Sequence, residues 1–197
     1  MIPKDINSYY RLHSKFYDVT RWVFLFGRNS LSDFLPQLPN NAQILDLGCG
    51  TGKHLKELRN RYPDAEIIGL DVSIDMLNRI NEPSITLKNE TYTNESFEPQ
   101  FFDLIICSYT LSMMPDIDKK LDFIMNHLKK KGRLLVVDFD STPFKWFSKW
   151  MEKNHVHFDS ELFKKLDNRF DIEFTEVNKG YFGLYTYTTY FGKNMRV

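Results

Sequence analysis

The chain has 197 residues, and its 26 Lys and Arg balance its 26 Asp and Glu, so its formal net charge is zero. This length suits one domain with a substantial core, and the neutral charge argues against a strongly basic, nucleic-acid-binding class. Two cysteines without metal-ligand spacing, no apolar signal core and no bilayer-length apolar run predict a cytoplasmic protein without a disulfide scaffold.

The first stretch of the chain is aromatic, and its rings alternate with Arg11, Arg21 and Arg28. Such a composition must pack on something, because it is too rich in rings for a disordered tail. We predict a helical segment over residues 1–40 that closes as a lid over a cofactor and an anionic substrate group. The alternative is that these side chains only cover one face of a sheet.

A glycine-rich loop follows, within residues 44–52. Its apolar start is typical of a buried parallel strand, and its alternate glycines let the backbone turn sharply and approach a ligand. Helical spacing resumes at Leu55, Leu58 and Tyr62. A second apolar run then ends at Asp71, where a carboxylate would meet the two hydroxyls of a ribose.

The spacing of this loop excludes two nucleotide-binding motifs. A P-loop needs glycine where Leu47 stands and Ser or Thr where His54 stands. A dinucleotide fingerprint needs its third glycine at Lys53. The pattern D-x-G-x-G-x-G remains, with Asp46 placed to hold the loop or to reach a cationic ligand. An ordinary glycine-rich turn is the alternative.

The middle of the chain predicts further alternating strands and helices. We expect a short helix over residues 74–80, strands at 84–88, 101–107 and 134–137, and a helix from Asp116 to Leu128 that ends at Lys129–Lys131 and Gly132. Residues 108–115 follow a strand, at the edge where open α/β sheets bind ligands.

The last third combines an aromatic helix with two strands. Residues 143–151 place Phe144, Trp146, Phe147, Trp150 and Met151 on one arc, within a helical insertion over residues 143–167. Two late strands with a short connection predict an antiparallel hairpin. We therefore predict an α/β fold over residues 41–197: a Rossmann-like seven-stranded sheet, mostly parallel with a C-terminal antiparallel hairpin, and helices on both faces.

The glycine loop and residues 71–77 resemble the first two motifs of class I S-adenosylmethionine-dependent methyltransferases. The resemblance implies S-adenosyl-L-methionine as cofactor and methyl transfer as activity. The expected cofactor-binding residues are Asp46, Gly48, Cys49, Gly50, Gly52, Asp71, Val72, Met76 and Ser108.

Residues 17–28, 108–115 and 137–139, with His155-Val156, also resemble the methyltransferase component of betaine-lipid synthesis. That resemblance implies N-methylation of an amino group on a lipid headgroup and transient contact with a membrane surface. We expect Tyr109, Arg21 and Tyr17 to be the catalytic side chains, since tyrosine rings suit a methylated ammonium group.

Two other functions stay open. One is a methyltransferase acting on a soluble quinone precursor or small amine, in which case the 143–151 helix would be buried. The other is a non-catalytic protein that binds S-adenosylmethionine. No metal is expected, because His155 and His157 lack a third ligand. The pattern leaves the oligomeric state open.

Overall fold

A computed structural model describes residues 25–158 and 161–195 of the chain. Most of the predicted lid, including Tyr17 and Arg21, therefore lies outside the described residues. The division into a lid over residues 1–40 and a core over residues 41–197 stays a prediction.

The described residues form one seven-stranded sheet with the strand order β3-β2-β1-β4-β5-β7-β6. The strands are β1 (Gln43–Leu47), β2 (Glu66–Asp71), β3 (Thr86–Asn89), β4 (Phe102–Ser108), β5 (Leu128–Phe139), β6 (Phe170–Gly180) and β7 (Tyr185–Asn194).

Helices connect these strands. They are α1 (Lys53–Arg61), α2 (Ile74–Leu77), α3 (Ile117–His127), α4 (Lys145–Glu152) and α5 (Leu162–Asp167). Short 3₁₀ turns cover Asn29–Phe34, Leu111–Met113 and Tyr181–Gly183.

The pairing of the strands confirms the predicted fold class. Strands β1 to β5 pair in parallel, whereas β7 runs antiparallel to both β5 and β6. Tyr187 on β7 pairs with Phe139 at the end of β5. The turn of the final hairpin therefore lies at the same edge of the sheet as the carboxyl ends of β1 and β4.

Apolar cores cover both faces of the sheet, as parallel strands require. Along β5, Leu135 and Val137 join the core beneath α1 and α4, while Leu134 and Val136 join the core beneath α3 and α5. The alternation follows from the two-residue period of a strand. The sheet is thereby a rigid support for the loops at its carboxyl edge.

The expectation that Lys129–Lys131 end a helix is wrong. Helix α3 already ends at His127, and the three lysines lie in β5, which begins by pairing Leu128 with Phe102. The register then shifts, and Lys129 Nζ lies 2.6 Å from Asp103 Oδ2 on β4. Pairing along the sheet and this ion pair outweigh the local helix-ending signal.

Candidate functional site

The glycine loop lies directly after β1, at the carboxyl edge of the sheet. Gly48, Gly50 and Gly52 have φ angles of 73°, 56° and 77°, a region that favours residues without a Cβ. The N–H groups of Gly48 and Cys49 donate to the Leu70 carbonyl of β2, at 2.8 and 3.1 Å. These bonds fix the loop against the neighbouring strand.

The space for a side chain differs between Gly48 and Gly50. A Cβ on Gly48 would lie 2.4 Å from atoms of the Thr110 side chain, so this glycine permits close packing against the end of β4. A Cβ on Gly50 would meet, among the described residues, only Met76 Sδ at 3.7 Å. As far as the described residues extend, the backbone at Gly50 therefore has room beside it for a ligand.

Asp71, at the end of β2, holds the loop and the start of α2 together. Its Oδ2 accepts the Gly50 N–H and its Oδ1 accepts the Ser73 N–H, both at 2.8 Å. The role of Asp71 as a ribose acceptor stays a prediction. The two hydrogen bonds give the residue a structural role that the sequence did not indicate.

Asp46, the acidic residue of the loop motif, has a buried carboxylate. Its side chain is 1% exposed, and neither carboxylate oxygen has a partner in the described part of the chain. Burial raises the pKa of Asp46 from 3.8 to about 7, and the positive charge of Arg28 opposes that rise. A buried acceptor without a partner in a ligand loop suits a cationic group of the ligand.

Tyr109 lies just beyond β4 in a strained conformation. Its φ is 54°, which is costly for a bulky residue, and its N–H donates to the Val137 carbonyl at 2.7 Å. The side chain is buried, and its hydroxyl donates to the carbonyl of Phe26. Burial raises the pKa of Tyr109 well above its usual value, so the hydroxyl keeps its proton.

Residues Phe26, Gly27 and Arg28 form a strap over this edge of the sheet. Tyr109 contacts this strap, and so does Tyr185 at the start of β7, which forms a hydrogen bond with the Phe26 backbone. Burial raises the pKa of Tyr185, and that hydrogen bond partly offsets the rise. Gly27 has a φ of 79°, and a Cβ there would lie 2.5 Å from the Tyr187 ring. The strap therefore fits against β7, and the positive charge of Arg28 acts on Asp46.

An aromatic layer surrounds the strap. The Phe139 ring lies 4.6 Å from that of Tyr109, 5.3 Å from Tyr185 and 5.6 Å from Phe158. Phe26 packs edge-on against Tyr181 at 5.1 Å. These rings form an apolar cluster at the edge of the sheet that carries the glycine loop.

Asp138 fixes the segment between β4 and α3. Its Oδ2 accepts the N–H groups of Thr110 and Ser112, both at 3.1 Å, and its Oδ1 accepts the Phe139 N–H at 2.8 Å. Burial raises the pKa of Asp138, and these hydrogen bonds oppose that rise. The part of Asp138 in the site is to position Thr110.

Of the remaining predicted residues, Cys49 lies in the loop, Val72 follows β2, Met76 lies in α2 and Ser108 ends β4. Cys49 and Met76 are buried, Val72 is half-buried, and Ser108 is buried with a hydroxyl that has no partner among the described residues. Burial raises the pKa of the Cys49 thiol, so it stays protonated. Sequence reasoning did not single out His54, which is also buried beside the loop.

Neither a metal cluster nor a membrane span occurs in residues 25–158 and 161–195. Within them, no group of three or more His, Cys, Asp and Glu is placed to hold a metal ion. The backbone of His157 donates to the Ser112 carbonyl at 3.0 Å. None of the described helices is both long and apolar enough to cross a bilayer.

Comparison with known proteins gives one family. A model described as "Methyltransferase domain" matches residues 20–172. The trans-aconitate 2-methyltransferase of Deinococcus radiodurans is 30% identical over 144 residues, 73% of this chain and 50% of that protein. The malonyl-[acyl-carrier protein] O-methyltransferase of Acetivibrio thermocellus is 28% identical over 179 residues, 86% of this chain and 60% of that protein. The chain thus spans about half the length of these curated relatives.

A solved structure shares the fold. The geranyl diphosphate C-methyltransferase of Streptomyces coelicolor A3(2), solved with Mg²⁺, a geranyl diphosphate analogue and S-adenosyl-L-homocysteine, gives a TM-score of 0.71 at 16% identity. The match covers 84% of this chain and 74% of that one.

Proposed function

Because the chain belongs to the methyltransferase domain family, whose methyl donor is S-adenosylmethionine, we propose that it methylates a small acceptor at the carboxyl edge of the sheet. The observation that carries this proposal is the buried Asp46, which has no hydrogen-bond partner among residues 25–158 and 161–195, close to a backbone at Gly50 that those residues leave uncovered. Both features suit a ligand with a positive charge and a flat, hydrogen-bonding body.

The residues of the loop would hold the cofactor. Asp71 would accept the ribose hydroxyls, the glycine backbone would lie against the ligand, and Asp46 would face its charged end. Cys49, Val72, Met76 and Ser108 remain proposed neighbours of the cofactor. When bound, S-adenosylmethionine supplies an electrophilic methyl group on a sulfonium.

The protein's contribution to the reaction is mainly to hold two partners in line. Such positioning supplies about 7–11 kcal/mol of barrier reduction in well-oriented systems. An amine acceptor must only lose its ammonium proton, which any nearby carboxylate, histidine or water can accept. Tyr109, Tyr17 and Arg21 remain our candidates for contact with the acceptor. The burial of the Tyr109 ring against Phe139 argues against direct contact in this conformation.

For the acceptor we propose an amino group on a lipid headgroup. On α4, Phe147 and Met151 are buried, whereas Trp146 is 64% exposed and Trp150 is 44% exposed. Exposed tryptophans flanked by lysines suit the depth of lipid headgroups. Phe182, fully exposed in the turn of the final hairpin, lies at the same edge of the sheet.

A soluble acceptor is the second candidate. The two relatives above are named for an aconitate and for a malonyl carrier protein. Arg28 and Lys53, both half-buried near the loop, would suit the carboxylate of such an acceptor. An experiment can distinguish a lipid acceptor from a soluble carboxylic acid acceptor, because only the reaction with lipid requires a membrane surface.

The test combines acceptor screening with vesicle binding. With a labelled methyl donor, we expect transfer to vesicles that contain an aminolipid, and weaker transfer and vesicle co-sedimentation for the double variant Trp146→Ala/Trp150→Ala. The matched control is Ile172→Ala/Val177→Ala, which removes exposed apolar side chains from β6. Transfer to soluble acceptors alone, without vesicle binding, would exclude the lipid acceptor and leave the methyltransferase assignment intact.

A further inference from the structure

The turn of the final hairpin holds an aromatic side chain in the solvent. Tyr181, Phe182 and Gly183 have consecutive positive φ angles of 44°, 54° and 96°, and the Phe182 side chain is fully exposed. Positive φ is an outlier for bulky residues, whereas Gly or Asn adopts it at lower cost. Strained backbone of this kind is concentrated at functional sites, so the turn indicates a contact that uses the Phe182 ring.

This turn is attached to the start of helix α4. The Thr142 hydroxyl donates to the Leu184 carbonyl at 2.7 Å, and it accepts the N–H of Phe144 at 3.2 Å. Below these bonds, the buried rings of Phe147 and Tyr185 lie nearly parallel, with centroids 6.0 Å apart. The turn and α4 are therefore held together at the carboxyl edge of the sheet.

Exposed aromatic rings extend from both parts of this unit. Besides Phe182, they are Phe144, Trp146 and Trp150 of α4, and we call these four side chains the aromatic rim. The Phe144 and Trp146 rings are 6.3 Å apart, so the part of the rim on α4 is continuous. A group of exposed apolar side chains flanked by charges marks an interaction surface, unlike isolated exposed residues.

The charge of α4 favours one partner for the rim. Lys145, Lys149 and Lys153 are exposed along the helix and at its end, and Glu152 is the only acidic residue of α4. A second copy of the chain docked through the same surface would bring like charges together. Anionic lipid headgroups would instead complement the lysines, and tryptophan rings suit the depth of headgroups.

We propose that the hairpin turn and α4 dock together on an anionic lipid surface. In this assignment the Phe182 ring enters the acyl chains, the tryptophans lie among the headgroups and the lysines face the phosphates. A helix of eight residues buries little apolar area alone, and the second apolar contact at Phe182 adds to it. The inference goes beyond the proposed function, since this docking requires no methyl acceptor in the membrane.

The experiment measures vesicle binding without any acceptor amine. The full chain is co-sedimented with vesicles of phosphatidylcholine alone, or of phosphatidylcholine and phosphatidylglycerol in equal amounts, neither of which has a primary amino group. The variants are Phe182→Asn, Phe182→Trp and Lys145→Gln/Lys149→Gln. Asparagine tolerates positive φ, so its loss of binding would not reflect a misfolded turn. Ile172→Asn is the matched control, because Ile172 is an exposed apolar residue at the other end of β6.

We expect the wild type to bind the mixed vesicles more tightly than those of phosphatidylcholine alone. Phe182→Asn should weaken binding to mixed vesicles about 10-fold, because an apolar ring no longer leaves water. The double lysine variant should weaken it about 10- to 30-fold, at about 5-fold for each lysine. Phe182→Trp and Ile172→Asn should bind as the wild type does.

Three results would overturn the inference: no binding of the wild type to mixed vesicles, equal binding of Phe182→Asn and the wild type, or equal losses for Phe182→Asn and Ile172→Asn. A wild-type dimer in sedimentation that Phe182→Asn dissociates, without vesicle binding, would assign the rim to a second copy instead. Methyl transfer is assayed separately. Vesicle binding without transfer to an aminolipid would leave this inference standing and exclude only the lipid acceptor.

Discussion

Replacing Asp46 by asparagine should change the pH dependence of folding stability in a defined direction. The carboxyl group is 1% exposed and has no hydrogen-bond partner in the described residues, so its ionised form is poorly solvated in the folded protein. Asparagine has nearly the same shape and cannot ionise. The substitution therefore isolates the cost of the charge.

The size of that cost follows from the pKa of Asp46, which burial raises from 3.8 to about 7. The unfolded chain releases the proton near pH 3.8, and the folded chain retains it until about pH 7. The contribution of Asp46 to the unfolding free energy is therefore constant below pH 3.8, decreases as the pH rises from 3.8 to about 7, and is constant again above about pH 7. A difference of about 3 pKa units, at about 1.4 kcal/mol each, amounts to about 4 kcal/mol.

Urea denaturation of the ligand-free proteins between pH 4 and pH 8 measures this effect. The unfolding free energy of Asp46→Asn, relative to the wild type, should rise by about 4 kcal/mol across that range. Asp64→Asn, at an exposed position, is the control and should follow the wild type. Parallel pH profiles for Asp46→Asn and the wild type would refute the reasoning, because they would mean that the folded protein solvates the carboxylate.

Two other substitutions test the loop and the strap. Asp71→Asn should weaken S-adenosylhomocysteine by about 1.5–3 kcal/mol in calorimetry, since it removes a charged acceptor for the ribose hydroxyls; unchanged affinity in a folded variant would contradict that role. Tyr109→Phe should lower the unfolding free energy by about 1 kcal/mol, because the partly buried hydrogen bond from the Tyr109 hydroxyl to the Phe26 carbonyl is lost. Amide exchange at Gly27 and Arg28 should also become faster in Tyr109→Phe, and unchanged exchange would show that other contacts hold the strap.

The fold and the glycine loop could be predicted because their signals are local. The loop motif is contiguous, and its companion Asp71 ends the next strand along the chain. The final hairpin was also predictable, since β6 and β7 are joined by a short connection. Each of these features depends on residues close together in the sequence, where spacing alone restricts the geometry.

Features that depend on distant residues could not be predicted in the same way. The burial of His54 depends on how the chain folds around α1, and its pKa is lowered further by the charge of Arg28, which is remote in the sequence. The helical arc of α4 was predicted as one face, yet Phe147 is buried and Trp146 is exposed. A helical plot orders side chains around an axis, but the position of the helix on the sheet edge decides how far the core covers that arc.

The contact of Phe26 with both Tyr109 and Tyr185 implies an order of assembly. Tyr109 follows β4 and Tyr185 begins β7, so the strap can dock on both only after the final hairpin has joined the sheet. Pairings between residues far apart in the sequence form late in folding. Closing a long loop costs conformational entropy before the contacts that compensate for this cost can form. During synthesis, the parallel strands can fold around the glycine loop before the strap closes over it. Opening of the hairpin would uncover the same edge without unfolding those strands.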